Sequence, residues 1–471
     1  MQPTLFYIPH QWLGWPLLVA WLLISGLVCA YYWKRGGWSD ELKGFLPMVA
    51  MVTAAILFVL PAVEVDGVDL ENPLGPMVNR GLAVRGYGLC MLLAIISGMG
   101  IVIWRCKRIG FPVDPIFTLA FCMVIAGVVG ARLFYVIQKH DQFFGPGVPL
   151  TDSLKMAANM TGGGLVVYGS LFGASIAAFI FFWWSKLPVW KTADLMAPGM
   201  AIGLAIGRLG CLMNGCCWGG VCEVGMPAIQ FPAGASSWEQ HLSNGSLLGL
   251  TTKAVTDLES LELGFAHEVV AVGEGLGKEI GLQPGDTIAV GIGDGDRIRY
   301  LKAARPDLAD QEHVKFAWQR DGELDVIEVP LGKLPARSLP VHPTQIYSSV
   351  NAFALCLLLW MFWYHRRSDG EVFALMLILY PIGRFMIEII RNDEAGQFGT
   401  EWTISQWVSM GTIVVGFAIF SYCRAFGKIA EIDAMLMQLR LRNSSSIAAC
   451  ESAVPQSAIA GKSDRECCRR V

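Results

Sequence analysis

Runs of about twenty apolar residues begin near Leu13, Phe45, Leu82, Ile116, Leu165, Ala193, Ile346, Val372 and Ile404, each as long as the hydrocarbon core of a bilayer requires. A backbone crossing lipid must satisfy its own N–H and C=O groups, so these runs predict about nine transmembrane helices. Over 471 residues, 54% are hydrophobic and only 16% charged, which excludes an ordinary soluble globular protein. The expected fold is therefore an all-α polytopic membrane protein. Met1 to Trp12 lack a basic leader region, so the first run is expected to stay as an uncleaved helix.

Charge orients the spans. Lys34 and Arg35, then Arg105, Lys107 and Arg108, then Lys186 and Lys191, then Arg366 and Arg367, then Arg424 and Lys428 mark every second connection. By the positive-inside rule these face the cytoplasm, which places the N-terminus outside and the C-terminus inside. The alternate connections carry Glu64, Asp66, Asp69 and Glu71, then His140 and Asp141, then a long segment, then Asn392 to Glu401. The net charge is only −3 and the basic residues form no continuous face, which argues against a nucleic-acid partner.

The composition divides the chain into an N-terminal pair of spans and outer loop (1–81), a first membrane portion (82–221), an extracytoplasmic insert (222–340), a second membrane portion (341–424) and a cytoplasmic tail (425–471). Within the insert, a small α/β domain is expected at about 261–331. It reads as a strand at Val269–Val272, with Ala266, His267 and Glu268 in that strand or in the loop before it. A GLQPGD turn at Gly281–Asp286, a strand at Thr287–Val290, a helix near Ile298–Ala304 and a hairpin at Arg320–Gly322 follow. This order, with its GLQPGD and QRDGEL pieces, resembles a PDZ domain of bacterial envelope proteins. The resemblance implies a peptide ligand held by strand addition; a domain that only packs on the membrane unit is the alternative. In the tail, Ile429, Ile432, Met435, Leu436 and Leu439 suggest an interfacial helix, followed by a disordered Ser- and Ala-rich end with Cys467 and Cys468.

The chemistry concentrates where polar groups enter apolar runs. Gly207–Gly220 (GRLGCLMNGCCWGG) holds Arg208, Asn214, five glycines and Cys211, Cys216 and Cys217. An ionised arginine at membrane depth costs roughly 2.5 to 3.5 kcal/mol on insertion scales, so Arg208 should face a cavity or an anion. Arg384, Glu388 and Arg391 share one helix face at i, i+4 and i+7, which suits a phosphate; a structural ion pair is the alternative. His342, Gln345 and Tyr347 enter the seventh run from outside. Gly162, Gly163, Gly164, Tyr168, Gly169, Ser170 and Gly173 open the fifth, either as a site or as a helix-packing face. Cys211, Cys216, Cys217 and Cys222 are expected to pack or to form a disulfide, ahead of a metal site or a covalent intermediate, while Cys29, Cys90, Cys122 and Cys356 fill space.

In order, RGYGLCM at Arg85, GARLFY at Gly130, the glycines before Tyr168, DLMAP at Asp194, the Gly207–Gly220 stretch, HPTQIY at His342, GRFMIEIIR at Gly383 and ISQWVSM at Ile404 resemble the bacterial prolipoprotein diacylglyceryl transferase family. The resemblance covers most of Leu82 to Gly416. It implies transfer of a diacylglyceryl group from phosphatidylglycerol to the lipobox cysteine of a preprolipoprotein in the inner membrane, with no cofactor or metal. Arg208 and Arg384 match the family's essential arginines, expected at the phosphate and at the charge growing on the leaving group. Tyr87, Asn214, Gly219, Glu388 and Arg391 match as cavity-lining or supporting positions, and Arg132, His342, Gln345 and Tyr347 join them as substrate-binding candidates. Tyr168 stands where the family commonly has a histidine and is the expected third catalytic residue. Cys211, Cys216 and Ser348 also depart from the pattern, which keeps open a diverged relative that binds lipid or preprolipoprotein without chemistry. An intramembrane metalloprotease is disfavoured, because His267–Glu268 lacks a second histidine and lies in the insert.

Overall fold

A computed structural model describes residues 4–8, 15–37, 66–70, 72–144, 149–158, 166–222, 226–255, 266–391 and 402–427, with short pieces at 45–46, 49–50, 52–53, 56–57, 164 and 400. Among these residues eight helices are long and apolar enough to cross a membrane. They are α1 (Trp15–Gly36), α2 (Gly86–Ile109), α3 (Asp114–Gln138), α4 (Val167–Ser185), α5 (Val189–Asn214), α6 (Thr344–Phe362), α7 (Glu371–Ile390) and α8 (Ile404–Phe426). The span expected from Phe45 lies largely outside the described residues, as does the tail beyond residue 427. The protein is a multi-pass membrane protein.

The third run starts later than expected. Leu82–Arg85 is a strand (β2) paired antiparallel with β1 (Thr4–Ile8), and the helix begins at Gly86 after an extended Arg85. Three apolar residues and an arginine before a long apolar helix carry no period of their own, so composition could not separate them.

α5 is the centre of the bundle, packed against α2, α6 and α7, while α8 lies along α7 and α4 along α3. Small residues set the close approaches. A Cβ on Gly98 of α2 would stand 2.8 Å from the Gly199 carbonyl oxygen of α5. Between α3 and α4, a Cβ on Gly130 would lie 3.0 Å from Gly173 Cα, and one on Gly169 the same distance from Ala131 Cα. Without a hydrophobic force between helices in lipid, such close contact supplies much of the association. The glycines opening α4 therefore form a packing face.

One end of the bundle is held by ions. The Asp194 carboxylate of α5 accepts the N–H groups of Gly370 and Phe373, both at 2.8 Å, capping α7 from a neighbouring helix. Arg366 lies 3.7 Å from Asp194 and 3.3 Å from Asp369, with its guanidinium over the Trp363 ring.

Between α5 and α6 the chain leaves the bundle and builds an antiparallel sheet of five strands in sequence order: β3 (Leu250–Ala254), β4 (His267–Val272), β5 (Thr287–Gly291), β6 (His313–Arg320) and β7 (Glu323–Pro330). Trp238, Leu248, Val269, Ile288, Leu301 and Phe316 fill its core against the helix Gly295–Ala304. The sheet takes in β3, ahead of the start expected at Leu261, and His267 belongs to β4. Gly281 and Gly285 both take positive φ in the GLQPGD turn. Asp286 accepts the Gln283 amide at 2.7 Å and two Arg320 donors at 2.8 Å. Asp321 and Gly322, both at positive φ, close the β6–β7 hairpin. The insert returns to the bundle through short bridges of Val341 with Val221 and Ile229.

Candidate functional site

The second ionic cluster lies at the opposite end of α5 and α7, where the insert emerges. Arg208 of α5 hydrogen-bonds the Tyr380 hydroxyl of α7, and both line a narrow cavity with Leu204, Ser348, Asn351, Ala352, Arg384 and Ile387. Gly383 has no side chain at the point where Asn351 reaches α7; a Cβ there would stand 2.9 Å from Asn351 Cγ. Glu388, 3% exposed, takes a salt bridge from Arg384, lies 3.9 Å from Arg391 Nε and accepts the Thr403 hydroxyl at 3.2 Å. The ion-pair alternative for Glu388 thus holds for Arg384 and Arg391, while Arg208 and Arg384 line the cavity together. Guanidiniums facing a cavity walled by apolar helices suit an anion. Arg391 is not on the helix face as expected: α7 ends at Ile390, and Arg391 is extended at its C-cap.

The loop after α5 is stitched to both neighbouring helices. Gly215 caps α5 at φ 74°, and Cys217 takes φ 60°, a left-handed conformation costly for a residue with a Cβ. The Thr344 hydroxyl and Gln345 Nε2 donate to the carbonyls of Cys217 and Cys216, both at 2.7 Å. The Gly219 amide donates to His342 O at 3.0 Å and the Gly220 amide to Ile390 O at 2.9 Å. A Cβ on Gly219 would lie 2.8 Å from His342 Cβ and Thr344 Cγ2, so only glycine fits. The HPTQ motif is thereby a clamp on this loop.

Cys211, Cys216 and Cys217 bring their sulfurs within 4.8 Å of one another, and Asn214 hydrogen-bonds the Cys216 thiol. All three are free thiols, as is Cys222, so the expected disulfide is not formed. Cys222 is held apart because its amide is fixed on Pro340 O at 2.8 Å, on the insert side. The Tyr87 ring of α2 packs over Gly210 beside the thiols.

Other expected residues are placed elsewhere. Arg132 directs Nε, Nη1 and Nη2 to the carbonyls of Ala157, Gly164 and Met156, at 2.8, 3.2 and 2.8 Å, and so anchors the segment before α4. Tyr168 is the second residue of α4, and no residue of α4 is in the cavity lining described. Tyr347 sits in the first turn of α6, half-buried, outside that lining. Gly162 and Gly163 lie outside the described residues. Sequence reasoning missed Asn351 and Tyr380. Ser348 and Asn351, one turn apart in an apolar run, were the available signal; a tyrosine beside Pro381 carried none.

A bundle of apolar helices with a cavity lined by two arginines at one end defines a multi-pass membrane protein whose buried site suits an anion. A family model described as prolipoprotein diacylglyceryl transferase matches residues 77–422. The chain is 36% identical over 445 residues, 88% of its length and 87% of the relative's, to a phosphatidylglycerol–prolipoprotein diacylglyceryl transferase of Rhodopirellula baltica. It is 26% identical over 355 residues to one of Burkholderia multivorans (74% and 91% of the two chains) and 23% identical over 346 residues to one of Clostridium tetani (73% and 95%). The chain belongs to the prolipoprotein diacylglyceryl transferase family.

Proposed function

We propose that the protein transfers a diacylglyceryl group from phosphatidylglycerol to the lipobox cysteine thiol of preprolipoproteins. The observation that carries this reading is the cavity in which Arg208 of α5 and Arg384 of α7 converge, in a chain of this family. The thiol gives up its proton to solvent, its sulfur forms a bond to the terminal glyceryl carbon of the diacylglyceryl group, the carbon–oxygen bond to phosphate breaks, and glycerol phosphate leaves with the electron pair. Arg208 and Arg384 hold the phosphodiester and stabilise the negative charge that grows on the departing phosphate. Glu388 holds Arg384 and Arg391 in place, and Gly219, His342 and Gln345 keep the loop beside them rigid. Tyr87, Asn214 and Tyr347 border the approach of the acceptor. Tyr168 is not among the residues that line the cavity, and a phenol is a poor base for the acceptor thiol.

The orientation that suits this chemistry puts the N-terminus, the insert and the arginine cavity on the outer face of the bacterial inner membrane and the C-terminus inside. The insert's sheet suits a PDZ-like recruiter of client peptides; unchanged lipidation of every client after deletion of 261–331 would overturn that role. For the transferase itself, purified protein is given labelled phosphatidylglycerol and a lipobox peptide. Thioether product that disappears in Arg208→Ala and Arg384→Ala supports the reading. No product from folded protein overturns it in favour of a lipid-binding relative.

A further inference from the structure

Three cysteine thiols meet where α5 ends, and the transferase reading gives them no role. Cys211 is on the last turn of α5, three residues after Arg208, while Cys216 and Cys217 follow the Gly215 cap. The turn between them is closed by the Cys216 amide on Cys211 O at 3.1 Å. Adjacent residues in extended chain point their side chains apart. Here the left-handed Cys217, its carbonyl fixed by Thr344 and that of Cys216 by Gln345, turns both thiols toward Cys211. Backbone held in a sparsely populated conformation is a feature that needs a reason.

We propose that Cys211, Cys216 and Cys217 form a three-thiolate site for a d10 metal ion, Zn²⁺ in the first instance, whose fourth position takes the acceptor cysteine thiol. Sulfurs each about 2.3 Å from a tetrahedral zinc lie about 3.8 Å apart, within the spread of this cluster. Three protein ligands with a fourth place open is the arrangement of catalytic rather than structural zinc. The charges suit it as well. Zn²⁺ with three thiolates carries one negative charge, and with a fourth thiolate two, a sign that suits a site three residues from Arg208 on the same helix. Beside the cluster, Gln345 Oε1 is buried and has no partner among the described residues.

A thiol bound to zinc at this site would give up its proton to solvent water, so the metal would supply the acceptor as a thiolate. The sulfur–carbon bond would then form as the carbon–oxygen bond to phosphate breaks, with no change of oxidation state. The site itself is independent of the transferase reading; the identity of the fourth ligand rests on it.

The test uses the full-length protein in detergent, reduced, stripped with a chelator and titrated with Co²⁺ as a spectroscopic probe. The expected result is one equivalent bound with an intense sulfur-to-cobalt charge-transfer band, lost in Cys211→Ser, Cys216→Ser and Cys217→Ser and kept in Cys222→Ser. Adding a lipobox peptide raises the band by about a third, three thiolates becoming four, and its Cys→Ser counterpart leaves the band unchanged. Because a serine variant can fail to fold, X-ray absorption of the zinc-loaded wild type counts sulfur neighbours directly, with three expected at about 2.3 Å. No charge-transfer band, no sulfur neighbours, or a disulfide among these cysteines in the reduced, stripped protein overturns the site, whatever the transferase assay gives. A band that the peptide does not move overturns the fourth-ligand role. Cobalt binding with no thioether product under any donor overturns the transferase reading and leaves the metal site standing.

Discussion

α5 and α7 carry an ionic cluster at each end, and the two are built on opposite rules. At the Asp194 end two guanidiniums, Arg105 and Arg366, meet three carboxylates, Asp194, Asp369 and Glu371. The carboxylate oxygens are taken by N–H groups of Gly370, Phe373 and Arg367 and by the Ser368 hydroxyl. At the Arg208 end, among the described residues, Arg384 and Arg391 share the Glu388 carboxylate while Arg208 and Arg384 line a cavity. The fourteen residues from Asp194 to Arg208 rise about 21 Å at 1.5 Å per residue, so neither cluster compensates the other closely. Buried charge of itself therefore does not mark a site in this membrane protein; charge that lines a cavity does.

Substitutions should separate the two ends. The largest effect is expected from Asp194→Ala, which removes one of the carboxylates facing the buried Arg366, leaves two backbone N–H groups unpaired and should cost about 3–5 kcal/mol of stability. A lowered melting temperature in detergent, with activity falling only as folded protein is lost, checks it; an unchanged melt would break the contrast. Arg208→Ala should leave the melt alone and lower kcat/KM by about 10²- to 10³-fold, the loss typical of one preorganised charge-stabilising group. Arg208→Lys should recover only part of this, since a point charge cannot grip a phosphate in two places. Gly219→Ala should lower turnover by about 10- to 100-fold by pushing the loop off His342 and Thr344, with helix content intact by circular dichroism.

The smallest effect lies in the insert. Burial pushes the Asp286 carboxyl up, but the hydrogen bonds from Arg320 and the Gln283 amide outweigh it and hold it below the usual carboxylate value. Its folded value is depressed, so its stabilising contribution is present above the unfolded value and is lost as pH falls through the folded one. Unfolding of the insert followed by Trp238 fluorescence should show a small loss of stability on acidification through that window, and Asp286→Asn should remove this dependence. A pH dependence unchanged in the variant would assign it to other carboxylates.

The bundle was legible because span length is a count: twenty apolar residues in succession leave few alternatives, and eight of the expected helices stand where the runs lie. Ends were less legible, since Leu82, Ala83 and Val84 are as apolar as the helix that follows. Arg208, Arg384 and Glu388 were legible for the same reason as the spans, charge being conspicuous in an apolar run. Arg132 looked equal to them in sequence. Only packing shows its donors on three backbone carbonyls rather than at the cavity.

The sequence alone determined that the chain crosses a membrane many times, which arginines interrupt the spans, and that a sheet-bearing insert divides the bundle, because burial in lipid and charge cost act on each segment separately. The tertiary structure decided what depends on distance between segments. It gave Glu388 to two arginines, put Tyr380 and Asn351 in the cavity, and left Tyr168 out of its lining. It also gathered Cys211, Cys216 and Cys217 around one point, through a helix cap and a left-handed residue that no spacing rule encodes.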